Sequence, residues 1–362
     1  MIYSSRVLFV DLDLIIRNKT RYMQSAELIK FLLMPFVCFW TYGFPDGLGL
    51  VELLSGFAVP AFYVICGYFL LKDNEDRSDR LKWAMIRYGI FFAVLLIFYT
   101  VVNFANPLYR AEIDMSMFRS KRLWFNFFVL DVWPLPICNS IWFIQSLFVS
   151  SVILYLADKF KLLRFYKIAL AVLFVFMLLT GELSGVIGFN VLGYQYLPGG
   201  VLTRALPYLL LGALLREKNV FLMNKPFWIY LILFVIGGAL TVGEYYLLFI
   251  TGKLVFISHM AGYALMDVAV IGLMVNIRIP VNPITRYGGF IAKIIYAIHF
   301  PVYSFALLCV LMFMPKYLEP FTSYTGIVVF VICLVIGILA SFILGTVMYI
   351  RRERANNIKR SV

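Results

Sequence analysis

GIVVFVICLVIGILASFILGTVMYI, residues 326–350, carries no charged side chain and is followed at once by RRER at 351–354. A helix crosses the hydrocarbon of a bilayer with about 20 mainly apolar residues. This run therefore reads as a transmembrane helix that ends against a basic surface. Nine further runs have the same character, at roughly 28–43, 47–71, 84–105, 140–157, 167–183, 201–215, 227–248, 259–277 and 288–313. The weakest is 201–215, which is short and holds Arg204 and Pro207. A membrane barrel alternates apolar and polar residues, and these runs are continuous. The expected fold class is an all-α integral membrane protein of about ten transmembrane helices.

Composition agrees. The 362 residues are 63% hydrophobic and 14% charged, whereas a soluble domain is about 45–50% apolar and about 25% charged. That excludes a soluble enzyme, a disordered chain and a nucleic-acid-binding domain. Lys and Arg number 32 against 19 Asp and Glu, an excess that fits cytoplasmic loops rather than a nucleic-acid partner. With ten spans and the N-terminus inside, 22 bases fall in inner segments and seven in outer ones, while Lys30, Arg87 and Lys293 lie near inner ends of spans. This bias predicts that both termini are cytoplasmic. The chain then divides into a cytoplasmic segment 1–26, a membrane domain 27–350 and a basic cytoplasmic tail 351–362. Arg6, Asp11, Asp13, Arg17, Lys19 and Arg21 interrupt the first 26 residues, which lack the apolar core of a cleavable leader.

Metal chemistry is not expected. The cysteines Cys38, Cys66, Cys138, Cys309 and Cys333 form no CxxC pair, and there are two histidines; the cysteines read as small buried hydrophobes. Two outer segments are long. Segment 106–139 holds Trp124, Phe125, Phe127, Phe128 and Trp133 and reads as an interfacial helix or lid, whereas 184–200 is rich in Gly and aromatics and suits a loop dipping back into the protein. Aromatic residues make up 18% of the chain, which fits interfacial belts and leaves room for a sugar-stacking surface.

An ionisable group in hydrocarbon costs about 2.5–3.5 kcal/mol on insertion scales, so each one needs a reason. Lys30, Arg87 and Lys293 can snorkel to the inner headgroups. Glu52, Arg204, Glu244 and His259 lie near outer ends, where water reaches them. Asp267 and His299 are mid-span, and either a polar pair between helices or a functional site accounts for them. A histidine suits acyl transfer because its unperturbed pKa of about 6.5 lets it take and return a proton near neutral pH. Arginines near the inner face suit a phosphate-bearing donor, since they stay charged and form forked hydrogen bonds to phosphate. Arg77, Arg80, Lys82 and Arg87 make such a cluster, although an ordinary positive-inside loop also looks this way.

Several segments resemble the membrane acyltransferase-3 family. Val59 to Leu70, VPAFYVICGYFL, is similar to its signature P-x-F-F-x-x-S-G-F/Y. RLKWAMIRYGIFF, at 80–92, falls where the family has a basic R-x-x-R element. Ser140 to Leu147, SIWFIQSL, resembles its W-F-L-x-x-L span, and Ala205 to Lys218, ALPYLLLGALLREK, resembles its F-F-L-L-G span with a basic turn. Tyr287 to Tyr303, YGGFIAKIIYAIHFPVY, is similar to its G-x-x-S-L/F-x-I-Y-L-x-H-x-P span. The order holds over about residues 25–350. Three positions depart. In the first span Lys30 matches the family's basic residue, but Thr41 stands where the family has its histidine base. Ala84 replaces the first arginine of R-x-x-R while Arg87 keeps the second. Cys66 replaces the signature serine.

The resemblance implies a multi-pass enzyme of the cytoplasmic (inner) membrane. It would move an acyl group, often acetyl, from acyl-CoA to a hydroxyl of a cell-surface or lipid-linked polysaccharide, as an O-acetyltransferase of the cell envelope does. The acyl-CoA is a donor substrate, and no cofactor is bound tightly. The partners implied are the lipid bilayer and a carbohydrate acceptor, with no metal and no nucleic acid. Lys30, Arg87, Arg80 and Arg77 are the candidate donor-binding residues, and Asp267 and Arg204 the candidates for the acceptor. His299 is the candidate base, since Thr41 has no accessible pKa near 7. Two other readings stand beside this one: a glycan exporter on the same scaffold without acyl transfer, and a polymerase of lipid-linked oligosaccharides.

Overall fold

The computed structural model describes residues 21–45, 49–71, 77–107, 141–181, 183–187, 200–254, 260–277 and 283–360, and no strand occurs among the described residues. Each of the ten apolar runs carries helix. The first is α1 (Arg21–Tyr42). The second is broken into α2 (Leu50–Ser55) and α3 (Ala58–Leu70). Next come α4 (Arg77–Ala105), α5 (Trp142–Lys159) and α6 (Tyr166–Thr180). A π-turn over Val201–Ala205 leads into α7 (Leu206–Glu217), and the short α8 (Asn219–Met223) follows it. The last four are α9 (Phe227–Ile250), α10 (Ala261–Asn276), α11 (Pro283–Phe313) and α12 (Leu318–Arg360).

Seven of these stretches are long and apolar enough to cross a membrane. The other three runs correspond to α5, α7 and α10. α5 buries Gln145, Ser146, Ser150 and Ser151, while α7 and α10 have 12 and 16 residues. Protein covers much of each of these helices, so lipid does not demand that they be long or apolar all round. The faces that meet lipid are apolar: Ile97 and Val101 of α4, Val172 of α6, Val235 of α9 and Phe342 of α12 are all exposed.

The α2–α3 stretch is the hub. Of its apolar window 78% is buried, against 17–33% for the other six. α3 packs backbone to backbone on α7, because a Cβ on Gly67 would collide with the Leu209 carbonyl and one on Gly212 with the Val64 carbonyl. Small residues permit this close approach between membrane helices. Elsewhere α4 pairs with α5, α9 with α10, and α1 with both α11 and α12.

Three basic segments expected on the inner side meet at one end of the bundle. Arg77 Nη2 lies 2.7 Å from Asp158 Oδ1, and Lys167 Nζ lies 2.7 Å from Glu217 Oε1. At what would be the opposite end, Glu244 Oε2 accepts a hydrogen bond from Ala261 N at 2.8 Å. It sits at the start of α10, where the helix dipole favours a negative charge. α12 continues past the apolar run into the expected tail, through Arg360. Most of the expected lid, most of the expected re-entrant loop, the segment 1–20 and His259 lie outside the described residues.

Candidate active site

A cavity of about 1230 Å³ opens among α1, α3, α4, α5 and α11. Its lining repeats at helical spacing. On α1 it takes Glu27, Lys30, Met34, Val37 and Thr41; on α4, Arg80, Trp83, Ala84, Arg87 and Tyr88; on α11, Gly289, Ala292, Lys293, Tyr296 and His299. Steps of three and four residues put each set on one helix face. The candidates Lys30, Thr41, Arg80, Arg87 and His299, far apart in sequence, therefore share one chamber.

The cations cluster toward one end. Lys30 Nζ lies 3.2 Å from Glu27 Oε1. Glu27 comes close because position 289 is glycine: a Cβ there would overlap its carboxylate. Lys293 interacts electrostatically with Lys30, Glu27, Cys66 and Arg87. Lys293 lines the cavity, so its place in the fold is among these cavity groups. Cys66 shares a hydrogen bond with Tyr88 inside the same chamber.

The histidine sits farther along. At 1.5 Å per residue, Thr41 is about 16 Å beyond Lys30 on α1 and His299 about 9 Å beyond Lys293 on α11. The two helices pack together, and in the ten-span scheme both run from the inner to the outer side. His299 is 3% exposed, and its ring lies among those of Tyr42, Tyr296 and Phe300, with centroids 5.9, 5.8 and 6.4 Å away. Its Nδ1 is 2.7 Å from the Tyr296 carbonyl oxygen. A carbonyl only accepts, so the proton is on Nδ1 and the neutral ring carries its lone pair on Nε2. Tyr296 is held in turn by the Ile144 N–H, which donates to its hydroxyl at 3.2 Å. Thr41 Oγ1 donates to the Val37 carbonyl at 2.7 Å.

Three candidates lie elsewhere. Arg77 lines a second pocket of about 460 Å³ with Arg164 and Arg216, beyond the end of α3, and is tied to Asp158. Leu71 lines the second pocket with Arg77 and Leu70 lines the first with Arg80. Asp267 is fully buried on α10, and neither carboxyl oxygen has a hydrogen-bond partner among the described residues. The polar pair expected for it is not formed there, and it lines neither space. Arg204 stacks on the cavity residue Trp142, 4.5 Å from the ring centroid, and does not itself line the cavity.

The sequence model of one family, described as an acyltransferase domain, matches residues 24–346. The chain belongs to the acyltransferase-3 family. No curated protein and no solved structure matches it. The membrane-protein reading and the family agree, because the matched region contains the cavity and nearly all of the apolar helices.

Against the acyltransferase-3 motifs, the structure gives several positions a physical role. Gly67 of the signature is a packing residue, pressed on α7. Cys66, Thr41, Ala84 and Arg87 all line the cavity, so the departures fall inside the site. One cavity-lining residue is not marked as such by the sequence. Lys293 reads there as a snorkelling lysine, although Gly289, Lys293, Tyr296 and His299 form a stripe at spacings of four, three and three.

Proposed function

We propose that this acyltransferase-3 protein moves an acyl group, acetyl being the simplest, from acyl-CoA to a hydroxyl of a cell-surface or lipid-linked carbohydrate. It would do so in the cytoplasmic membrane, with ten crossings and both termini inside. One observation carries this reading: a single cavity holds Lys30, Arg80 and Arg87 toward one end and the His299 imidazole farther along. The cations would bind the phosphates of the donor, and the pantetheine arm would carry the thioester toward His299. Nε2 would take the proton of the acceptor hydroxyl as its oxygen attacks the thioester carbonyl, then return it to the leaving thiolate. Trp40 and Trp142 line the same chamber and offer flat faces to a sugar ring.

The test is donor binding by the purified protein. Charge-assisted hydrogen bonds to phosphate contribute about 1.5–3 kcal/mol, so Arg87→Gln should weaken acetyl-CoA binding about 10- to 100-fold. Arg77→Gln, altered in the other pocket, should leave it nearly unchanged. A protein that binds no acetyl-CoA, in cells whose surface glycan stays unacylated with or without it, would favour the exporter reading.

A further inference from the structure

We infer that the second pocket, of about 460 Å³ beyond the end of α3, holds the phosphate of an anionic phospholipid from the leaflet at that end of the bundle. Three segments far apart in sequence each bring one guanidinium to it. Arg77 comes from the start of α4, Arg164 from the short helical turn Leu162–Phe165, and Arg216 from the end of α7. These are three of the basic segments expected inside, where the membrane surface is negative and basic pockets between helices take anionic headgroups.

The pocket changes character along its wall. On α7 the lining residues are Leu210, Ala213 and then Arg216, so one helix face passes from apolar to cationic over about 9 Å. Leu163 and Leu71 extend the apolar side. A free phosphate gains nothing from such a wall, whereas a phosphodiester that carries glycerol and acyl chains buries them against it.

Two of the three guanidiniums are left for an anion. Arg77 is paired with Asp158, and Glu217 of the pocket wall accepts from Lys167 Nζ at 2.7 Å and from the Tyr166 hydroxyl. Arg164 and Arg216 have no carboxylate partner among the described residues. Arg216 is also held in place. Its Nη1 donates to the Tyr68 hydroxyl at 3.0 Å, and its guanidinium lies 4.9 Å from the centroid of that ring. Tyr68 is fully buried and its hydroxyl donates to Asn219 Oδ1 at 2.5 Å. One N–H of Arg216 is thereby used, and the others remain to fork onto phosphate oxygens.

The turn that carries Arg164 has the composition of a membrane surface. Phe160, Leu162 and Phe165 are exposed and stand among Lys159, Lys161 and Arg164. Apolar side chains so placed enter the boundary of the acyl chains, while the cations beside them stay at the phosphates. The Arg164 guanidinium lies 4.6 Å from the Phe165 ring centroid. α6 begins at Tyr166 on the pocket wall and goes on to expose Ile168 and Val172, a surface over which acyl chains can continue. A lipid held here ties together the ends of α4, α6 and α7.

The experiment uses the full-length protein, delipidated in a neutral detergent. It reads the thermal unfolding midpoint, and the lipid retained in native mass spectrometry, after addition of phosphatidylglycerol, phosphatidylcholine, glycerol 3-phosphate or acetyl-CoA. Phosphatidylglycerol should be retained and should raise the midpoint, because a ligand that binds only the folded state stabilises it; phosphatidylcholine and glycerol 3-phosphate should do neither. Arg164→Gln should weaken phosphatidylglycerol binding about fivefold, the effect of one base at a charged surface, and Arg164→Gln with Arg216→Gln should abolish the rise. Arg164→Lys and Lys225→Gln should behave as the wild type, the first because it keeps the charge and the second because it lies outside the pocket. Arg164 is exposed and stacks on Phe165 alone, so its variants test the site even if Arg216→Gln fails to fold. No retained phosphatidylglycerol, equal retention of phosphatidylcholine, or unchanged binding by Arg164→Gln overturns the inference. An equal rise with glycerol 3-phosphate overturns the lipid assignment, since the pocket then takes a phosphate without chains. A rise with acetyl-CoA that Arg164→Gln removes and Arg87→Gln keeps overturns it in favour of a donor site. A protein that binds phosphatidylglycerol as described but no acetyl-CoA sustains this inference while the donor reading falls.

Discussion

Replacing His299 by glutamine changes one chemical property of the cavity. In the wild type Nδ1–H donates to the Tyr296 carbonyl at 2.7 Å, and this bond fixes the tautomer that leaves Nε2 basic. A glutamine amide can donate to the same carbonyl and fill most of the same volume among Tyr42, Tyr296 and Phe300, but it has no basic nitrogen. A positioned general base contributes about 10²–10⁴-fold in rate. His299→Gln should therefore lower acyl transfer by two to four orders of magnitude, as far as His299→Ala does. Donor affinity should hold, because the Lys293 position is about 9 Å away along α11. The assay is the initial rate of radiolabelled acetyl transfer into glycan by isolated membranes, normalised to the protein present. The thermal unfolding midpoint of each purified variant separates lost chemistry from lost fold. Thr41 lines the cavity next to Tyr42, whose ring meets that of His299. Thr41→His should therefore restore part of the rate to the His299→Gln protein. Transfer at the wild-type rate by His299→Gln would refute the reasoning, because nothing then depends on Nε2.

Two further outcomes follow from the fold. Gly67→Val drives a side chain into the Leu209 carbonyl, and backbone on both sides leaves little room to yield; overpacking of this kind costs about 1–3 kcal/mol or more. The thermal midpoint in detergent should fall well below that of Gly243→Ala, which meets nothing within 4 Å, and equal midpoints would remove the α3–α7 contact from the account. Reporter fusions after Lys72 and after Arg360 should both report cytoplasm, as the 22-to-7 distribution of bases requires; a tail read outside would sink the ten-crossing scheme.

Much of the fold was legible because a bilayer imposes a one-dimensional rule. Each crossing must be a long apolar run, so the runs marked all ten helical regions before any contact was known. The same rule explains why three of the ten runs do not stand out as lipid-facing spans. α5, α7 and α10 are sheltered by neighbours, and a sheltered helix need not meet the length and hydropathy of a lipid-facing one. The charges at 351–354 end the apolar run of the last span, and backbone hydrogen bonding carries α12 on through Arg360.

The site divides along the same line. Residue type alone picked out the cluster Arg77, Arg80, Lys82 and Arg87 and the mid-span His299, while family order added Lys30 as a match. Family order added Thr41 as a departure. Only the tertiary structure decided which of them share a chamber. It joined α1, α3, α4, α5 and α11 around one cavity, set Arg77 in another pocket beyond the end of α3, and left Asp267 buried away from both. It also turned Lys293 from a lysine that could reach headgroups into one that faces the cavity cations. Sequence constrains each helix face separately, whereas the meeting of faces depends on interhelical packing, such as Gly67 on Leu209 and Gly289 beside Glu27. Those contacts lie between residues far apart in the chain, and no local pattern encodes them.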